Sequence, residues 1–260
     1  MNLCQLLVRW TKRLGEFMLF VNETIKVFPG LWKRRDLFFR QCEFIGVTST
    51  GIILVAALFM GAVLGYQLYV SFHYFGAEAL LGGSVGVALF RELAPVMGAV
   101  MVTGRAGAAM AAEIASMRIS EQIDALEVMA IDPMEYLVAP RVVAGVCMMP
   151  LLSVLFAGIA SLAAAGVACG VMGLSTPVYW SQFSKVVDPI ELTHCVTKGA
   201  MFGLVLTWVG CFYGFRAHGG AYAVGKATRT TVVVSCLTIL LSDYVLTSLL
   251  PFGFARLIAE

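Results

Sequence analysis

Five apolar runs occupy about half of the 260-residue chain, at 44–72, 80–104, 142–171, 192–215 and 231–250. Each reaches the roughly 20 residues that a helix needs to cross the hydrocarbon core of a bilayer. The first and third are longer and leave room for tilt. Charged residues make up 13% of the chain and hydrophobic residues 60%. A water-facing domain carries about 25% charge, so the runs read as spanning helices of an all-α membrane protein.

The distribution of Lys and Arg supports that reading. Eight precede the first run, none lies between the first and second, and Arg105, Arg118 and Arg141 lie between the second and third. Only Lys185 separates the third from the fourth, Arg216, Lys226 and Arg229 separate the fourth from the fifth, and Arg256 follows the fifth. The alternation puts 14 on one side and two on the other. The positive-inside rule then predicts a cytoplasmic N-terminus and a C-terminus on the far side.

The chain divides into residues 1–30 and 31–260. In the first part Leu3, Leu7, Trp10, Leu14, Phe17, Val21, Ile25 and Phe28 recur at helical spacing, with Arg9, Lys12, Arg13, Glu16, Glu23 and Lys26 elsewhere on the wheel. A basic amphipathic helix of this kind suits the cytoplasmic membrane interface, and the plainer alternative is a helix packed on a soluble partner. Pro29 and Gly30 are expected to end it. The second part holds the five spans. Glycines at four-residue spacing (Gly61/Gly65, Gly82/Gly86, Gly166/Gly170, Gly199/Gly203, Gly210/Gly214) predict close helix packing in lipid.

The connection from Arg105 to Arg141 is too long for a simple turn. Within it Ile119, Ile123, Leu126 and Ala130 form one apolar face, and Glu121, Asp124 and Glu127 form another. Ser120 is a candidate N-cap that would divide the stretch into two short helices, and Asp132-Pro133 is a stop. The segment is either a docking element for a soluble protein or a solvated connector.

Four charges fall inside spans. Counting in from Arg105, Glu92 lies roughly 20 Å deep, and Asp243 lies roughly 21 Å from Arg229. Lys198 lies roughly 27 Å from Arg216, nearer the outer face, and with Arg91 the four form a layer in the outer half of the bilayer. Intramembrane charge costs about 2.5–3.5 kcal/mol per residue on insertion scales and marks pairing or a polar cavity. Three roles fit Arg91, Glu92, Lys198 and Asp243: a structural ion-pair set, a lining for a polar headgroup, or a proton relay. Pro95 lies three residues beyond Glu92 and is a candidate kink.

The seven cysteines are scattered and the three histidines lack metal-ligand spacing, so no metal is expected. No phosphate-binding loop or nucleophile motif is present, so an ATP-driven protein would take its ATP from another chain. Nothing points to nucleic acid or to a catalytic residue.

The blocks RELAPV at 91–96, GRAGAAMAAEI at 104–114 and MRISEQIDAL at 117–126, followed by D-P and P-R, resemble the MlaE family. Its members are permease subunits of MCE-type ABC transporters that move phospholipids between the two membranes of Gram-negative bacteria and maintain outer-membrane lipid asymmetry. The similarity extends through Lys198, ATRTT at 227–231 and SDYVLT at 242–247.

The resemblance implies an inner-membrane homodimer with an interfacial helix and five spans per protomer. It implies docking of a cytoplasmic ABC ATPase, which holds ATP and magnesium, through the loop between spans two and three. It also implies a periplasmic MCE-domain hexamer and a STAS-domain protein on the ATPase. Carried onto this chain, the lipid pocket would include Leu64, Ser71, Phe72, Phe75, Arg91, Glu92 and Leu93, and docking would fall on Glu113, Glu121, Asp124 and Glu127. Ser71 and Phe72 are less aliphatic than the family pattern. In that setting Arg91 would meet a phosphate, and Glu92 would orient Arg91 of the other protomer or accept from Lys198. The rival readings are an ion-coupled secondary transporter working through Glu92, Asp243 and Lys198, and a membrane scaffold with no transport of its own.

Overall fold

The computed structural model describes residues 3–27 and 35–249, with the side chains of 3–10, 13 and 14 excepted. The described residues form eight helices: α1 Leu3–Val27, α2 Arg35–His73, α3 Glu78–Ile119, α4 Gln122–Val128, α5 Met134–Val171, α6 Thr176–Val186, α7 Pro189–Phe215 and α8 Ala221–Leu249. Five of them (α2, α3, α5, α7 and α8) are long and apolar enough to cross a membrane. They contain the five apolar runs, except for residue 250 of the fifth, which lies outside the described residues, and each begins before its run.

Helix α5 is the centre of the bundle, with α2 on one side and α7 on the other. Glycine makes both contacts possible. A Cβ on Gly61 of α2 would stand 2.1 Å from the Ala160 carbonyl oxygen of α5, and one on Gly203 of α7 would stand 2.2 Å from the Gly145 carbonyl oxygen. Backbones this close gain dispersion contact that larger side chains would prevent. Four of the five predicted glycine pairs work this way within the chain, whereas Gly166 and Gly170 meet nothing within 4 Å.

Helix α3 does not stop at Arg105. It runs on to Ile119 because 106–115 is rich in alanine and packs between α7 and α8. A Cβ on Gly214 would already lie 2.8 Å from Ile114 Cβ. Arg105 is a tie between helices: its Nη1 donates to the Phe44 carbonyl at 3.0 Å and to Ser49 Oγ at 2.8 Å. The break comes at Ser120–Glu121, as the sequence suggests, but Ser120 closes α3 instead of capping α4. Its Oγ donates back to the Ser116 carbonyl at 2.8 Å, a bond that serves the helix it ends. Glu121 then takes a left-handed φ of 58°. Helix α4 is only seven residues long and is anchored through the buried Ile123.

Helix α6 has no counterpart among the sequence expectations. It lies between α5 and α7 in the chain and packs on the start of α3, where a Cβ on Gly82 would stand 2.1 Å from the Tyr179 carbonyl oxygen. Tyr179, Trp180 and Phe183 form an aromatic cluster with Phe90. The buried Tyr179 hydroxyl donates to the Ser161 carbonyl at 3.2 Å, and burial pushes its phenol above the usual range.

Helix α1 packs on the protein itself over its second half. Phe17 and Phe20 meet Phe212 edge-on, Phe20 also meets Phe215, and Glu16 pairs with Arg216. The buried stripe is Phe17, Phe20 and Thr24, one step round the helix from the expected Phe17, Val21 and Ile25, and Ile25 is exposed. The side chains of Leu3, Leu7, Trp10 and Leu14, and residues Phe28, Pro29 and Gly30, lie outside the described residues.

Candidate substrate site and charge layer

Arg91 and Glu92 sit on a π turn, Leu89–Leu93, near the end of α3 that joins α2 through the hairpin at 74–77. Pro95 follows within the first turn of the resumed α-helix. Proline has no N–H for the carbonyl four residues back and its ring crowds that carbonyl. A widened turn ahead of it removes the clash, so the sequence L-F-R-E-L-A-P builds the bulge locally.

The two charges part company from this turn. Arg91 reaches the first turn of α7, where its Nε donates to Glu191 Oε2 at 3.0 Å and its Nη2 donates to Glu191 Oε1. This is the planar two-point fork that suits guanidinium and carboxylate. Glu92 reaches Lys198, two turns further along α7 on the face that also holds His194 and Cys195. Lys198 is fully buried, and its Nζ lies 2.7 Å from Glu92 Oε2, 2.7 Å from Asp243 Oδ1 and 2.7 Å from Thr247 Oγ1. The contacts with Glu92 and Thr247 are hydrogen bonds that Lys198 donates, and the contact with Asp243 is an ion pair. Thr247 passes its own proton to Glu92 Oε1 at 3.1 Å, which closes the network across α3, α7 and α8.

The expected layer therefore resolves into a three-helix cluster of Glu92, Lys198 and Asp243, with Arg91 held beside it by a residue the sequence reading did not single out. Glu191 and Thr247 are the two additions. Exposure within the layer is uneven: 38% for the Glu92 side chain and 18% for Asp243, against 11% for Arg91, 7% for Glu191 and none for Lys198.

Of the other residues assigned to a pocket, Leu64 and Phe72 of α2 and Leu93 of α3 are half-buried and pack on the same central core. Ser71 is exposed and donates to the Gln67 carbonyl at 2.9 Å. Phe75 is 84% exposed in the hairpin, beside an equally exposed Tyr74. A left-handed Gly76 and the His73–Glu78 pair hold that turn.

At the opposite end of α3, Glu113 pairs with Arg141 of α5 at 2.9 Å. Arg141 is 3% exposed and also donates to the Leu137 carbonyl at 2.8 Å, so this contact braces α3 against α5. Asp124 pairs with Arg118 at 2.5 Å. Glu121 and Glu127 are exposed, and so are Val128 and Met129, which give the α4 surface an apolar edge absent from the sequence expectation.

Residues 38–249 match the family described as Permease MlaE. The chain is 38% identical over 226 residues to the intermembrane phospholipid transport system permease protein MlaE of Haemophilus influenzae, covering 86% of each. It is 36% identical over 244 residues to a probable ABC transporter permease protein of Rickettsia conorii, covering 93% of each. It is 32% identical over 209 residues to the chloroplastic protein Trigalactosyldiacylglycerol 1 of Arabidopsis thaliana, covering 80% of this chain and 60% of that one. With its five apolar helices and a match over most of its length, the chain belongs to the MlaE family of membrane permeases.

Proposed function

We propose that this protein is the membrane subunit of an ABC transporter that moves phospholipid between two bacterial membranes, working as a homodimer in the inner membrane and powered by a separate ATPase. The observation that carries the reading is the charge layer at the hairpin end of α3. In this reading the polar set of Arg91, Glu92, Lys198 and Asp243 would meet the headgroup, and Leu64, Phe72 and Leu93, half-buried on the central core, would meet the chains. Ser71 and Phe75 extend that surface toward the hairpin. The named relatives, one of them a phospholipid transport permease, support the same substrate class.

The hairpin end faces the periplasm in this reading, where an MCE-domain hexamer would receive or supply lipid. The α4 end faces the cytoplasm, with α1 in the membrane interface. ATP and magnesium belong to the ATPase, and a STAS-domain protein would bind there as well. Docking falls on Glu121, Asp124 and Glu127 together with Val128 and Met129. Glu113 acts behind that surface through its tie to Arg141.

The test is reconstitution of the purified permease with its co-purifying subunits into vesicles, followed by transfer of labelled phospholipid. Transfer that needs ATP and an intact ATPase supports the proposal. Transfer that follows a proton gradient without ATP would replace it with the ion-coupled reading through Glu92, Asp243 and Lys198.

A further inference from the structure

The charge layer is unbalanced. Its five described side chains include two cations, Arg91 and Lys198, and three carboxylates, Glu92, Glu191 and Asp243. The two cations and Glu191 are the groups turned inward. Lys198 has no exposed surface and three oxygen partners, and the Arg91 fork is filled by a carboxylate that is itself 7% exposed. Glu92 is the charged side chain of the layer that reaches outward most, at 38% exposed. Its Oε2 accepts from Lys198 at 2.7 Å and, at 3.5 Å, from Thr247, whereas its Oε1 accepts from Thr247 at 3.1 Å and accommodates a second donor. A group arriving at this rim therefore meets a negative charge first. A phosphate would have to share Arg91 with Glu191, which already takes its Nε and Nη2 donors, or approach against Glu92.

We propose that Glu92 is a specificity-determining residue that accepts the ammonium end of a zwitterionic phospholipid headgroup, so that the site favours amine-bearing lipids over lipids of net negative charge. This rests on the phospholipid reading above and adds a headgroup class to it. Lys198 and Thr247 act as positioning residues: they hold the Glu92 carboxylate in one orientation and satisfy its inner lone pairs, leaving the outer ones for the ligand. The contact involves no proton transfer and no covalent step. It is a charge-assisted hydrogen bond in a partly dehydrated setting, where such bonds are about twice as strong as neutral ones.

The experiment uses the whole transporter complex, placed in nanodiscs of equal parts phosphatidylethanolamine and phosphatidylglycerol and then extracted in mild detergent. Lipid retained by the protein is quantified by mass spectrometry. Wild-type protein should retain the ethanolamine lipid over the glycerol lipid by about five-fold, the size expected of one partly exposed charge-assisted contact. Glu92→Gln keeps an acceptor for Lys198 and removes the charge, and should bring the ratio close to one. Glu92→Asp keeps the charge and should retain a preference. If Glu92→Gln does not fold, Glu92→Gln combined with Lys198→Met, which removes the stranded cation as well, takes its place and should likewise bring the ratio close to one.

A wild-type ratio near one, or a preference for the glycerol lipid, overturns the headgroup assignment and leaves phospholipid transport standing. A five-fold preference that Glu92→Gln does not alter overturns the assignment to Glu92. Retention of no phospholipid by a folded, ATP-hydrolysing complex overturns both.

Discussion

Lys198 shows how a buried charge can be tolerated and how its loss should register. Its three partners replace the water it gave up on folding. Lys198→Met would leave Glu92 and Asp243 facing each other, at a cost of about 3–5 kcal/mol, because breaking a buried pair strands the remaining charge. Adding Glu92→Gln and Asp243→Asn to that background should recover most of the loss, and thermal unfolding in detergent would measure it. Glycine gives a second residue-scale contrast. Gly203→Val forces a side chain into the Gly145 carbonyl and should abolish the monodisperse peak in size-exclusion chromatography, whereas Gly158→Ala, with nothing within 4 Å, should leave it intact. That Glu92, Lys198 and Asp243 share one layer was legible from counting along the spans, while the Glu92–Lys198 contact was one of two alternatives for Glu92 and is the one the fold makes. Glu191 was not legible. An acidic residue in the first turn of a helix is ordinary, since it complements the helix dipole, and only the folded position of α7 puts it against Arg91. Thr247 was equally hidden, as one hydroxyl among many in an apolar helix.

The elements divide by the kind of signal they leave. The five spanning helices were legible because an unbroken apolar run has few other uses. Their ends were less so, and the extension of α3 past Arg105 shows why. Its alanines pack on α7 and α8 much as membrane residues would, so hydropathy falls while the helix continues. Helix α6 was missed for the opposite reason. Its 11 residues are too few and too mixed to span, although Pro177 in the first turn and aromatics at 179, 180 and 183 form a helical pattern in retrospect. The α3–α5 brace yields a prediction at this scale. Arg141→Ala removes a buried guanidinium, its bond to Leu137 and its tie to Glu113, and should destabilise by about 1–3 kcal/mol. Glu113→Gln should cost less, because Glu113 is half exposed and Arg141 keeps its carbonyl partner. Thermal unfolding ranks the pair, and hydrogen exchange should show faster opening of α4 in Arg141→Ala. On the docking surface proposed above, Glu121→Lys with Glu127→Lys should reduce recovery of the proposed ATPase with the tagged permease several-fold while the permease stays folded.

For the whole molecule, the charge alternation along the sequence predicts a sidedness that labelling can check. With α4 on the cytoplasmic side, a cysteine at Glu121 should react with a membrane-impermeant maleimide only after the inner membrane is opened. A cysteine at Tyr74, 82% exposed in the hairpin, should react once the outer membrane is permeable. The reverse pattern would invert the topology and place the charge layer near the cytoplasm. The two ends so defined are joined by a single backbone. Helix α3 has 42 residues and a length of about 60 Å, twice the hydrocarbon thickness. It carries Arg91 and Glu92 near one end and Glu113 and the junction with α4 near the other. A load applied at the α4 end would thus reach the charge layer as the tilt or rotation of a connecting rod, with no chain of side-chain rearrangements needed to carry it. Of the two π turns in this rod, the one at 89–93 carries the charge layer and the one at 103–107 lies between it and Glu113, where a torque would be absorbed or released.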